Sequence, residues 1–227
     1  MDQFISIAID GPAGAGKSTM ARAVAKELGY IYVDTGAIYR TVGYYVDFCG
    51  IGPKDIDMVT RLLDEVNIEI RYDEAGAQQM ILNGRDVSGE IRTQRMGDYA
   101  SKLSTLQVVR DFLLDVQRDM ARNHNVVMDG RDIGTVVLPD AQVKIFLTAS
   151  AEVRAKRRLL ELQEKGDRKS TFESVLREIR ERDERDTNRA IAPLKPAADA
   201  VHLDTSELTI DEAVAAMKAI IEKRLQK

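Results

Sequence analysis

The sequence predicts an α/β fold: three layers around a five-stranded parallel sheet, with one small antiparallel insertion and one short helical lid. Three observations lead there. Short apolar, β-branched runs alternate with helical stretches along most of the chain. The first run stops at a glycine-rich turn that passes directly into a helix. In one stretch, about residues 64–92, the pattern changes to period-two alternation with a tight-turn dipeptide, Asn83-Gly84.

Ile5, Ile7 and Ile9 alternate with smaller residues and form the first strand; a helix follows from about Ser18 to Leu28, with Gly29 as its C-cap. Tyr30 to Asp34 is the second strand, turning into a helix through Asp34-Thr35-Gly36-Ala37-Ile38-Tyr39-Arg40. Gly50-Ile51-Gly52-Pro53 closes that helix, and Asp55 to Val66 reads as another. Ile68 to Tyr72 and Met80 to Leu82 then make an antiparallel hairpin. Val109, Phe112, Leu113, Val116 and Met120 share one stripe of a core-packed helix. Val126-Val127-Met128 is a buried strand ending at Asp129-Gly130-Arg131-Asp132, and Val143 to Leu147 is another. From Ala151 the chain is helical and charged, with a break at Gly166-Asp167, and i,i+4 pairs such as Glu178–Arg182 and Glu181–Arg185 are expected to absorb much of the charge. Ala200 to Asp204 is the last strand, and the capping box Thr209-Ile210-Asp211-Glu212 opens a helix whose stripe is Ile210, Val214, Met217, Ile221 and Leu225.

The chain of 227 residues is long enough for one α/β core with insertions, and 44% hydrophobic with 31% charged residues marks it as globular. No apolar run approaches membrane-spanning length and the chain enters a strand without a signal peptide, so a cytoplasmic protein is expected. Cys49 is the sole cysteine, which excludes an internal disulfide; beside only His124 and His202 it gives no zinc site, and it is expected to be buried on a helix. A net charge of −4 argues against a broad nucleic-acid surface, and scattered charge favours a monomer.

Gly11-Pro12-Ala13-Gly14-Ala15-Gly16-Lys17-Ser18 fits G-x-x-x-x-G-K-[ST] at every fixed position. Such a loop needs glycine because successive backbone N–H groups must turn inward on phosphate oxygens. Residues Gly11 to Thr19 are therefore expected to bind ATP. Lys17 brings a mobile charge to the β- and γ-phosphates, and the Ser18 hydroxyl is a ligand for Mg²⁺, with Asp34 or Asp129 behind its waters. The bland alternative is a glycine-rich strand–helix link. A second anion site is expected where strands end at Arg40 and Arg131, completed by Arg189 from Arg182-Asp183-Glu184-Arg185-Asp186-Thr187-Asn188-Arg189. Helices joined by a polar break can hinge over transferring phosphates, and Arg157 or Arg158 would reach them on closure. Donor triphosphate plus phosphorylated acceptor points to phosphoryl transfer, with Lys17, Arg131 and Arg189 as the catalytic charges. An acceptor phosphate, with a second pKa of about 6, needs no general base.

The phosphate loop, Asp34 to Arg40, Asp86-Val87-Ser88-Gly89-Glu90-Ile91-Arg92, Asp129-Gly130-Arg131-Asp132-Ile133-Gly134-Thr135-Val136 and Arg182 to Arg189 together resemble the bacterial cytidylate kinases, over about Ile5 to Leu225. Residues 53–80 match only in pattern. The resemblance implies a P-loop nucleoside monophosphate kinase that transfers the γ-phosphoryl of ATP to CMP or dCMP. Its core would be residues 1–34, 105–150 and 190–227. Residues 35–104 would form the monophosphate-binding region and 151–189 the arginine-rich lid. It also implies that Arg40, Arg131 and Arg189 hold the CMP phosphate, Arg182 and Asp186 the sugar hydroxyls, and Ser101, Arg110 and Asp132 the base, with Thr35 and Gly36 lining the pocket. A carboxylate for the cytosine amine, with a guanidinium and a hydroxyl for its ring acceptors, is complementary chemistry. The rival readings are a small kinase for UMP, AMP or a sugar acid, and a nucleotide-dependent switch.

Overall fold

The computed structural model describes residues 4–164 and 166–226. In chain order the elements are β1 (Ser6–Asp10), α1 (Lys17–Leu28), β2 (Ile31–Asp34), α2 (Thr35–Phe48), α3 (Ile56–Leu63), β3 (Ile68–Tyr72), β4 (Gln78–Leu82), β5 (Arg85–Asp86), α4 (Gln94–Leu103), α5 (Gln107–Asn123), β6 (Val126–Gly130), β7 (Val143–Thr148), α6 (Ala151–Glu164), α7 (Phe172–Asn188), β8 (Val201–Asp204) and α8 (Ile210–Leu225). The main sheet is parallel and five-stranded, in the order β2-β6-β1-β7-β8.

Period two along the strands sorts the core onto two faces. Ile7, Ile9, Val127 and Ile145 point to one side, where Val24 of α1 and Met217 and Ile221 of α8 cover them. Ala8, Val33, Val126 and Met128 point to the other, under Ile38 and Val42 of α2 and Leu113 of α5. Full burial of each such aliphatic side chain stabilises the fold by roughly 1.5–3 kcal/mol. The central strand β1 has neighbours that leave to opposite sides, and the crevice beyond its carboxyl end is where this architecture admits ligands.

The insertion is three-stranded rather than a simple hairpin, in the order β3-β4-β5. Asn83 (φ 48°) and Gly84 (φ 82°) both adopt left-handed backbone, which lets the chain reverse and lay the two-residue β5 beside β4. This sheet docks on β2: the Asp34 N–H donates to Gln78 Oε1 at 2.7 Å, and the Tyr72 hydroxyl to the Tyr32 carbonyl at 3.0 Å.

Three expectations need correction. Cys49 is exposed at the C-cap of α2, because the helix has left the core by its last turn. Ile210 lies on the solvent side of α8, its place on the packed face taken by Ala213. Neither Glu178–Arg182 nor Glu181–Arg185 pairs among the described residues: Arg185 reaches Ser101 instead, and the buried Nε of Arg182 has no partner at all.

Candidate active site

The loop from Gly11 to Gly16 joins β1 to α1. Gly11 has no substitute there, since a Cβ would come within 2.0 Å of the Leu147 carbonyl oxygen on the adjacent strand. Lys17 is buried and folds back over the loop, its Nζ donating to the Pro12 carbonyl at 2.7 Å. Burial, reinforced by the nearby Arg131 guanidinium, pulls its pKa down to about 7, while Asp129 and Asp10 oppose the shift. Ser18 donates its hydroxyl to Asp129 Oδ2 at 2.8 Å, and Tyr32 donates to Asp129 Oδ1 at 2.9 Å. Burial and the neighbouring Asp34 hold the Asp129 carboxyl above its ordinary range. Thr19 is exposed on α1.

Asp34 is committed twice, capping α2 through the Ala37 N–H (2.9 Å) and pairing with Arg40 Nη2 (2.9 Å). Thr35 is turned inward, its hydroxyl donating to the Asp129 carbonyl at 2.7 Å. Gly36 lies under the Arg40 guanidinium, 3.0 Å from where its Cβ would be, so no larger residue fits without moving that arginine.

Six further residues converge from distant elements. Arg131, following β6, donates its Nε to Asp186 Oδ2 of α7 at 2.9 Å. Asp132 takes Arg110 of α5 on one oxygen and Arg189 Nη2 (3.3 Å) on the other, all three side chains being buried. Burial lowers the Arg189 pKa despite Asp132 beside it. For Asp186, burial raises the pKa, but Arg131 and Arg182 outweigh it and hold the carboxyl below its ordinary value. Arg182 is pulled down to about 10 by burial and by Arg131. The buried Nε atoms of Arg40 and Arg182 have no hydrogen-bond partner. A buried guanidinium N–H without an acceptor is costly, and Arg182, on which both Arg131 and Arg40 act, lies where positive charge accumulates, an arrangement suited to an anion.

Residues the sequence reading missed support this centre. Arg154 of α6 is buried against the phosphate loop, donating to the Ala13 carbonyl (3.0 Å) and the Ala149 carbonyl (2.8 Å) while pairing with Asp183 of α7 at 2.6 Å. Ser104 accepts from Arg189 Nη1 at 3.2 Å, and Arg185 donates its Nη1 at 3.0 Å to Ser101, a residue the sequence had already singled out. Arg157 and Arg158 are engaged elsewhere. Arg157 Nη2 donates to the Thr205 carbonyl at 2.8 Å, and Arg158 bridges Glu161 and Gln94. Position one turn into α6 was the only available signal for Arg154, and it does not separate one arginine of that helix from the next.

Comparison with known proteins identifies the family. The family model described as cytidylate kinase matches residues 7–223. The chain is 49% identical over 210 residues to the cytidylate kinase of Caldicellulosiruptor saccharolyticus, covering 92% of each protein. It is 48% identical over 221 residues to that of Lactobacillus gasseri, covering 97% of this chain and 95% of the relative. A solved structure of an uncharacterized protein from Eubacterium ventriosum superposes with a TM-score of 0.52 at 14% identity, over 96% of this chain and 98% of that one, and shares the fold. A match over nearly the whole length, at close to half of all positions, shows that the chain belongs to the cytidylate kinase family.

Proposed function

We infer that the chain transfers the γ-phosphoryl group of ATP to CMP or dCMP, giving ADP with CDP or dCDP. Family membership carries the reaction. The observation that supports its geometry is the pair of facing anion sites: the phosphate loop under Lys17, and the arginine cluster whose Arg40 and Arg182 Nε groups lack acceptors. Phosphoryl transfer asks for in-line positioning and for positive charge on oxygens that gain negative charge, and both sites supply it.

In this reading Gly11 to Thr19 bind ATP, and Lys17, Arg131 and Arg189 are the charges that act in the transition state. Arg40, Arg131 and Arg189 hold the acceptor phosphate, Arg182 and Asp186 the ribose, and Ser101, Arg110 and Asp132 the base, above Thr35 and Gly36. Asp132 offers a carboxylate to the cytosine amine and would meet a carbonyl in uracil. Residues 35–104 move with the acceptor, and residues 151–189 close over the phosphates, with Arg154 clasping the loop; Arg157 or Arg158 would have to leave present partners to take part.

The Ser18 hydroxyl and the Asp129 carboxylate are hard oxygen donors 2.8 Å apart, a set suited to Mg²⁺ that arrives with ATP and keeps several waters. Asp34, already committed to Ala37 and Arg40, is the poorer second carboxylate. When held by Ser18 with Asp129 behind it, the ion would supply positive charge that offsets the negative charge of the transferring phosphate.

The test is ADP release in a coupled assay across CMP, dCMP, UMP, AMP and a sugar acid. CMP and dCMP should lead the panel. A different leading acceptor, or hydrolysis that no acceptor accelerates, would contradict the reading.

A further inference from the structure

Asp10, the last residue of β1, has no role in the account so far, yet it is buried where the two halves of the site join. Its carboxylate accepts two consecutive backbone N–H groups: Ile133 to Oδ1 and Gly134 to Oδ2, both at 2.8 Å. Those amides open the single helical turn Ile133–Val137 that follows Arg131 and Asp132, and the start of such a turn has N–H groups without partners of their own. The next residue after Asp10 is Gly11, the first of the phosphate loop. One carboxylate thus ties the root of the donor loop to the segment carrying Arg131 and Asp132.

We propose that Asp10 is a positioning residue for acceptor recognition, holding the Arg131-Asp132 segment at the register in which Asp132 meets the base. This rests on the reading of Asp132 given above. Asp132 has an uncommon backbone conformation (φ −147°, ψ 27°) and its own side chain, paired with Arg110 and Arg189, does not cap the turn after it; the two bonds to Asp10 do, and they tie the backbone of that turn to β1. The groups facing Asp10 are Lys17 from α1, Asp132 from the segment itself, and the aliphatic stem of Lys144 from β7, which lies beside Gly134. The Asp132 and Lys17 charges act on Asp10 in opposite senses. A carboxylate here satisfies both amides; an amide side chain accepts one and turns a donor toward the other.

The experiment compares steady-state kinetics for CMP and UMP in the wild type, Asp10→Asn, Asp132→Ala and the double variant. Loss of one charge-assisted bond should lower kcat/KM for CMP about tenfold or more in Asp10→Asn, mostly through KM for CMP, with KM for ATP little changed. The CMP-over-UMP preference should fall in Asp10→Asn and fall no further when Asp10→Asn is added to Asp132→Ala. If the preference falls in Asp132→Ala but holds in Asp10→Asn, or if the two effects add, the positioning role is overturned and the base reading survives. If it holds in Asp132→Ala, both are overturned. Should Asp10→Asn not fold, amide hydrogen exchange of the wild type decides. Strong protection of Ile133 and Gly134 supports the clasp, and exchange as fast as in an open loop refutes it.

Discussion

The proposed donor and acceptor halves of this site are built by different means. The phosphate loop is one contiguous segment whose polar side chains already have protein partners: Lys17 bonds Pro12 within it, Ser18 bonds Asp129, and Arg154 clasps the Ala13 carbonyl from outside. The acceptor half is assembled from Arg40, Arg110, Arg131, Arg182 and Arg189 on four separate stretches of chain, each facing carboxylates or each other in a buried setting. The first half is held by backbone geometry. The second is a balance of like and unlike charges in which two guanidinium nitrogens remain unsatisfied. The comparison teaches that the side chains around the proposed donor loop already rest on protein partners, whereas the proposed acceptor site keeps two guanidinium nitrogens without an acceptor, which an incoming anion would supply.

The sharpest way to break this contrast is on the donor side. Lys17→Ala should reduce kcat by about 10²–10³ or more with a smaller change in ATP affinity, since its charge is needed chiefly where the transition state gains negative charge. Steady-state rates and equilibrium ATP binding check it; a loss confined to ATP affinity would remove that role.

A smaller effect is expected on the acceptor side, with a signature the donor side cannot give. Arg182→Met keeps the aliphatic stem and removes a charge that sits against Arg131 and lacks a partner at Nε. KM for CMP should rise about tenfold, the worth of one charge-assisted bond. Thermal unfolding of the free variant should occur at or above the wild-type temperature, because a strained charge has been relieved. A lowered Tm with unchanged KM would mean that Arg182 serves the fold.

The smallest effect concerns the junction. Burial pushes the Asp10 carboxyl up to about 6, with the Gly134 and Ile133 amides opposing. The folded state therefore holds this proton more tightly than the unfolded chain, whose value is near 3.8. The resulting stability is fully present below about pH 3.8 and is lost as pH rises through about 6. Asp10→Asn cannot titrate there, so the Tm of the wild type relative to the variant should decline between pH 4 and about 6.5. A difference independent of pH would contradict the burial assigned to Asp10.

The same contrast explains what the sequence disclosed. The strands, the Asp34 cap of α2 and the Thr209 capping box of α8 follow from local patterning, and the phosphate loop is a contiguous string. Long-range polar contacts have no such trace. Helical spacing offered Glu178 as the partner of Arg182, but tertiary packing buries that arginine where the charges of Arg131 and Asp186 act on it. Arg154 and Arg157 look alike in sequence; only the fold sends one to Ala13 and the other to Thr205. The turn Ile133–Val137 was illegible because its first amides are capped by Asp10, 123 residues earlier.

The central claim is that donor and acceptor phosphates meet end to end between the loop and the arginine cluster. Its most direct test is inhibition by adenosine and cytidine joined through five phosphates. The account predicts competition against both ATP and CMP, with affinity well above that of either substrate alone. Competition against ATP only, with CMP binding undisturbed, would contradict it.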